Sequence, residues 1–257
     1  MERTAPADPT TGLLDGMPRQ PTRVGPAEAP KPVPDAAAEA APEPAGIHRR
    51  APWRRIPVPF TLGYTAVLCA TSYLADHADP GLVAALHEGS STDVAHLLRS
   101  PVPVLLASAL WVAGGLGSPF TLAFLVVLTA LELRVGALRT AGVFLLGHTL
   151  ATLVTEVPVG FAVLAGHLPG TSLHRLDYGI SYGVATCLGA LAGLLRPWLG
   201  LPLLAVAAGF LVDDLLALTD PLTNWGHLTA LTLGVATWPL LRRAGRGDTD
   251  AERHATG

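Results

Sequence analysis

Charged side chains are scarce in this 257-residue chain. Asp, Glu, Lys and Arg make up 14% of it, where soluble domains carry about 25%. So few charges cannot clothe an ordinary water-facing surface, and the chain reads as a membrane protein. Lysine is almost missing: of the 17 Lys and Arg residues only Lys31 is a lysine. Cysteine occurs twice, as Cys69 and Cys187, which excludes a disulfide scaffold and a cysteine-type zinc site. A basic excess is also missing. The net charge is −3, so no electrostatic footprint for nucleic acid exists. No Walker loop, Rossmann fingerprint or H-E-x-x-H occurs, and no cofactor or metal is expected. What is present is apolar: AVILMFWYC residues are 50% of the chain and the mean hydropathy is +0.42.

Composition divides the chain into three parts. Residues 1–55 form a Pro/Ala-rich tail, with ten of the 23 prolines before residue 48. Such a segment buries too little apolar surface to offset its ordering entropy, so disorder is expected. Met1-Glu2-Arg3-Thr4 leads into Pro and Asp with no apolar h-region, unlike a signal peptide. The tail ends in a basic cluster, His48-Arg49-Arg50-Ala51-Pro52-Trp53-Arg54-Arg55. Residues 56–242 are expected to form the membrane domain, and 243–257 a short second tail.

A spanning helix needs about 20 apolar residues. Six segments qualify or come close: Val58–Ala75, Pro119–Leu133, Leu138–Ala165, Leu176–Leu195, Leu199–Leu218 and Leu222–Leu241. The third carries Pro158, a point where it could kink or end. The stretch Val102–Gly115 is too short to span and reads as an interfacial or re-entrant element, with a seventh span as the alternative. Arginines set the orientation. Arg49, Arg50, Arg54, Arg55, Arg134, Arg139, Arg196, Arg242, Arg243 and Arg246 fall on one side, and only Arg99 and Arg175 on the other. The positive-inside rule then puts both termini in the cytoplasm of a multi-pass protein of the cell membrane.

Ionisable residues at membrane depth are expensive and are functional candidates. Here they are Glu132, His148, Glu156, Asp177, Asp213, Asp214 and His227. Ser181 and His227 each lie five residues inside the outer end of a predicted span, about 7–8 Å deep at 1.5 Å per residue. Gly179 and Gly183, then Gly189 and Gly193, offer small faces on the fourth span. His227, Ala230 and Gly234 share a face of the sixth. Small faces let membrane helices approach closely. A serine hydroxyl within reach of an imidazole is the minimum for an activated nucleophile. The competing reading is packing glue and an interhelical hydrogen bond. Asp177 reads as the cap of the fourth span, or as a group that polarises His227. Asp213 and Asp214 read as the solvated end of the fifth. His148 and Glu156 read either as a buried His148–Glu156 or His–Thr hydrogen-bonded pair that locks helices together, or as groups that orient His227 or touch substrate.

These motifs together resemble the rhomboid intramembrane serine proteases. Gly179-Ile180-Ser181, with Gly189 eight residues on, is similar to the family's nucleophile motif near the outer end of span four. Gly226-His227, closed by Gly234, is similar to its general-base motif in span six. Glu132-Leu133-Arg134-Val135-Gly136 is similar to its E-x-R-x-G at the end of span two. The resemblance covers about residues 56–242. It implies an all-α membrane protein, a six-transmembrane-helix rhomboid-like bundle. It also implies that Ser181 is the nucleophile and His227 the base, that the surroundings are a lipid bilayer, and that the substrate is a transmembrane-helix protein. Three departures stand out. Tyr182 replaces the glycine that usually follows the nucleophile. Leu116–Thr121 lacks the His and Asn of the family's oxyanion motif, leaving Ser118 and Thr121 as its polar groups. The tryptophan–arginine pair of the first loop is also missing. His148 and Thr152, spaced H-x-x-x-T, are substitutes for the oxyanion pair, with Tyr182 and Gly179 as supporting positions. A missing oxyanion donor costs about 10²–10³ in rate. A rhomboid-like protein that binds transmembrane segments without cutting them is therefore the second reading. A small transporter is the third.

Overall fold

The computed structural model describes residues 58–243. The expected disordered tail over 1–55 lies outside the described residues, as does the second tail beyond Arg243. Among the described residues the secondary structure is helical, with no strand. The helices are α1 (Pro59–His77), α2 (Pro80–Gly89), α3 (Val94–Arg99), α4 (Pro101–Ser108), α5 (Pro119–Val135), α6 (Ala137–Leu164), α7 (Ser181–Leu194), α8 (Pro197–Leu216) and α9 (Pro221–Ala236). A 3-10 turn, Gly170–His174, lies between α6 and α7.

Proline sets most helix starts. It opens α1, α2, α4, α5, α8 and α9, where its missing N–H costs nothing and its fixed φ suits the first turn. Gly136, at φ +83°, separates α5 from α6 and also caps the end of α5. That left-handed backbone suits glycine. Pro158 neither ends nor interrupts α6, which runs as one helix of 28 residues.

Two helices among the described residues, Ala137–Leu164 and Pro197–Leu216, are long and apolar enough to cross a membrane. The other expected spans are helical but shorter or more polar. α5 has 17 residues, α7 14 and α9 16. α1 has 19 but carries Thr61, Thr65, Thr71, Ser72 and Asp76. Within Val102–Gly115, α4 has eight residues and is about 12 Å long at 1.5 Å per residue, followed by turns.

The fourth span corrects the sequence reading. Its helix begins at Ser181, not at Leu176. Gly179 sits at φ +130°, outside any right-handed helix, and Asp177 and Gly179 bond to Ser91, Thr92 and Ser108 instead of to a helical turn. Gly179 therefore does not pair with Gly183 on a helix face, and Ser181 is the first residue of its helix rather than five residues inside it. Asp177 does not cap α7 either. The N-cap is Ile180, with no side-chain bond.

α7 occupies the centre, touching α5, α6, α8 and, most extensively, α9. Glycines set that contact. A Cβ on Gly189 would lie 2.2 Å from Leu231 O, and one on Gly234 would lie 2.1 Å from Thr186 O. The two backbones meet with no room for a methyl group. Farther along, Gly193 lies under the ring of Trp238, whose Nε1–H donates to Gly189 O at 2.7 Å. Glu132 fixes α1. Its carboxylate accepts the Phe60 N–H at 2.8 Å, the Thr61 N–H at 2.7 Å and the Thr61 hydroxyl at 2.6 Å. Val58 offers α1 no side-chain cap, so a carboxylate from another helix serves its positive end.

Candidate active site

The segment before Ser181 is pinned by bonds to residues remote in sequence. The Thr92 N–H donates to Asp177 O at 2.7 Å, the Gly179 N–H to Ser108 O at 3.0 Å and the Asp177 N–H to Ser91 Oγ at 3.0 Å. Between them the Tyr178 ring stacks on His87, which meets Trp111 edge-on. α2–α4 thereby hold the segment that presents Ser181.

Arg175 ties the start of the same segment to two more helices. It donates through Nη2 to Glu156 Oε1 on α6 at 2.7 Å and through Nη1 to Thr223 Oγ1 on α9 at 3.4 Å. Asp177 Oδ2 lies 3.7 Å from Nη2. Glu156 is 1% exposed, and a carboxylate so buried calls for a cation. The partner is Arg175, not His148 as one sequence reading had it. Burial pushes the Asp177 carboxyl above its ordinary value, against the downward pull of Arg175 and the Thr92 hydroxyl.

His227 lies in the second turn of α9. Phe120 stacks on its ring at 6.3 Å, and Tyr182 meets it edge-on at 5.1 Å. The residue is 9% exposed, and neither ring nitrogen has a hydrogen-bond partner. The expected hydrogen bond to Ser181 is thus not formed. Ser181 and His227 nevertheless line one cavity of about 310 Å³. Gly179, Ile180, Phe120, Arg175, Asp177, Asp220 and Thr223 also line it. Ser181 opens α7 without a side-chain cap. The first N–H groups of a helix have no intrahelical partner, so the positive dipole end of α7 lies at Ser181.

The remaining predicted residues gather on the other side of Ser181. His148, Thr152, Tyr182, Gly179 and Ser181 line a space of about 10 Å³. Tyr182 turns inward and is buried against Gly226, where a Cβ would lie 2.5 Å from its ring. Its hydroxyl lies beside Thr155 and Thr223 without a well-formed hydrogen bond. His148 is committed to α4: its Nε2 lies 3.0 Å from both Leu105 O and Ser108 Oγ. Ser118 caps α5 by accepting the Phe120 N–H at 3.2 Å, and the Thr121 hydroxyl donates to Gly115 O at 3.3 Å. The Thr121 hydroxyl is spent as a donor, Ser118 keeps its O–H, and neither residue lines the cavity of Ser181 and His227. Among the described residues no group of three or more His, Cys, Asp or Glu side chains could hold a metal ion.

Sequence reasoning missed Arg175, Phe120 and Asp220 as wall residues. A signal for Arg175 was present. Glu156 at membrane depth needed a cation, and Arg175 is one of two arginines on the expected outer side. No curated protein and no solved structure matches the chain. Residues 54–247 match the family described as rhomboid-like protein, about three quarters of the chain, and with its all-helical fold this protein belongs to the rhomboid-like family.

Proposed function

We propose that this protein is an intramembrane serine protease. α1, α5, α6, α7, α8 and α9 form the six spans, and α2–α4 form an outer loop region. Both termini are cytoplasmic, the protein is multi-pass in the cell membrane, and the substrate is the transmembrane helix of another protein. One observation carries the reading. Ser181 and His227 come from two helices in backbone contact and line one cavity, and no other group occupies the imidazole nitrogens.

In the reaction His227 takes the Ser181 proton as Oγ attacks the scissile carbonyl. The imidazolium then gives that proton to the leaving amine, and water releases the acyl group by the same route. The oxyanion forms beside the start of α7, where the Ser181 N–H is the available backbone donor. Side-chain donors are few, because Ser118 and Thr121 do not line the cavity and His148 Nε2 is engaged on α4. Each missing donor lowers the rate about 10²–10³-fold, so turnover is slow.

A serine-directed fluorophosphonate tests this. Wild type becomes labelled, while Ser181→Ala and His227→Ala do not. A wild type that stays unlabelled as the probe concentration is raised defeats the reading. Tyr182 in place of glycine and the lack of a formed Ser181–His227 bond favour a second reading, a protein that binds transmembrane segments without cleaving them. Under that reading substrate binding survives in all three proteins.

A further inference from the structure

The cavity beside Ser181 is uneven in charge. Its lining includes apolar Phe120, Ala113, Leu176 and Ile180 and polar Asp177, Asp220, Thr223 and Arg175. Arg175 brings no free positive charge, because its guanidinium is already paired with buried Glu156. Counting Arg175, Glu156, Asp177 and Asp220 together leaves two negative charges in excess. Asp177 and Asp220 lie close enough to repel each other, and Asp220 also acts on His227 electrostatically.

Asp220 is held there at a cost. Its φ is +47°, a left-handed conformation uncommon for a residue with a Cβ. Strained backbone of this kind persists where surroundings enforce it, and it clusters at ligand sites. The side chain accepts the Thr223 N–H at 3.3 Å through Oδ1 as the N-cap of α9, and the residue lines the cavity. The imidazole of His227, nine-tenths buried and without a hydrogen-bond partner, lines the same cavity. The cavity thus combines Ser181 and His227 with apolar and acidic lining residues.

We infer that this cavity selects segments carrying an arginine or lysine beside the bond presented to Ser181, with Asp220 as the specificity-determining residue and Asp177 as its helper. The inference rests on the proteolytic reading for the word "bond", but not for the preference itself. A long cationic side chain lays its methylene stem on Phe120 and Leu176 and carries its head to the carboxylates. An acidic side chain in the same place meets two like charges. At about 310 Å³ the cavity is at the small end of ligand sites, suited to one side chain rather than a broad peptide groove.

The test measures binding apart from cleavage. Single-span peptides differing only by Arg, Gln or Glu, placed in turn along the outer end of the helix, are titrated into the Ser181→Ala protein. Nanodiscs of zwitterionic lipid remove charge from the bilayer, and fluorescence anisotropy gives Kd. At the best position Arg binds about tenfold tighter than Gln, and Glu binds weaker still. Asp220→Asn removes most of that difference and Asp177→Asn a smaller part. Asn caps a helix as well as Asp and tolerates the left-handed region, so Asp220→Asn keeps the loop. Added salt narrows the preference in wild type and leaves Asp220→Asn nearly unchanged. Equal Kd values for the three peptides at every position overturn the inference. So does a preference that survives both Asn substitutions together. Absence of fluorophosphonate labelling alongside an intact Arg preference defeats the proteolytic reading alone.

Discussion

α7 and α8 are consecutive, both strongly apolar, and joined by a short turn at Arg196, yet the fold treats them in opposite ways. Ten of the 14 residues of α7 are buried. In α8 only Gly200 is buried, and 6% of its most apolar window lies inside the protein. Apolar composition therefore does not decide burial in this molecule. Side-chain size does. α7 carries Gly183, Gly189 and Gly193, and each accepts a neighbouring ring or carbonyl where a methyl group would collide. α8 turns Trp198, Leu201, Val206, Phe210 and Leu216 outward. Lipid tails are as apolar as leucine, so bulky residues gain little by moving from bilayer to protein, whereas small ones permit close backbone contact. The helix that carries Ser181 is fixed by that contact, and the helix beside it is attached mainly along one edge.

The sharpest way to break this contrast is to enlarge a contact glycine. A Cβ on Gly234 would meet Thr186 O at 2.1 Å, Ala190 N at 2.7 Å and the Gly189 Cα at 2.9 Å. All three are backbone atoms, which cannot rotate aside. Gly234→Ala should cost about 3 kcal/mol, the upper end for overpacking a tight core. It should lower the unfolding midpoint in detergent and abolish Ser181 labelling together, because α9 also carries His227.

Removing the anchor of α1 comes next. Glu132→Ala leaves the Phe60 and Thr61 N–H groups and the Thr61 hydroxyl without their acceptor. The expected loss is about 2 kcal/mol, seen as an earlier unfolding midpoint. Labelling of the surviving folded protein should persist, since α1 does not line the Ser181 cavity.

A smaller effect tests the far end of the α7–α9 seam. Trp238→Phe keeps an aromatic ring over Gly193 but removes the donor to Gly189 O. Loss of one partly buried hydrogen bond costs about 1 kcal/mol. A change of two or three times that size would mean that the indole shape, not its N–H, holds the seam.

Much of this fold was legible because its signals are local. The helices occupy the six apolar segments to within a few residues at most ends, since proline marks the starts and Gly136 marks a stop. The small faces of α7 and α9 were also legible, because glycine at helical spacing has few other uses. What the pattern concealed was local backbone that departs from its own apolarity. Leu176–Ile180 looks like the first turn of a helix, but its hydrogen bonds run to Ser91, Thr92 and Ser108, which are remote in sequence. The candidate site divides in the same way. Ser181 and His227 sit in recognisable motifs. The pairing of Glu156 with Arg175, and the turn of Asp220 toward the cavity, depend on how a loop folds back, which no spacing rule encodes.

The smallest effect has the opposite sign and bears most directly on α8. Gly209 lies mid-helix with nothing within 4 Å of a Cβ built on it. If α8 is held only along one edge, that position has no close contact to protect. Gly209→Ala then removes backbone freedom from the unfolded chain and adds a better helix former, a gain of about 0.5 kcal/mol where the native conformation accepts the change. The comparison is between Gly209→Ala and Gly234→Ala, the same chemical change on an outer and an inner helix, followed by unfolding midpoint and by Ser181 labelling rate. A slight rise in midpoint with unchanged labelling supports a helix packed loosely against a rigid core. A marked loss of stability at Gly209 would mean that another surface closes on α8 in the bilayer, and that its outward face is a contact rather than an edge. A stable protein with slowed labelling would place α8 among the elements that must move before the probe reaches Ser181. In that case the contrast between the two helices is functional as well as structural: one is held still to carry the nucleophile, and the other is left free to admit what reacts with it.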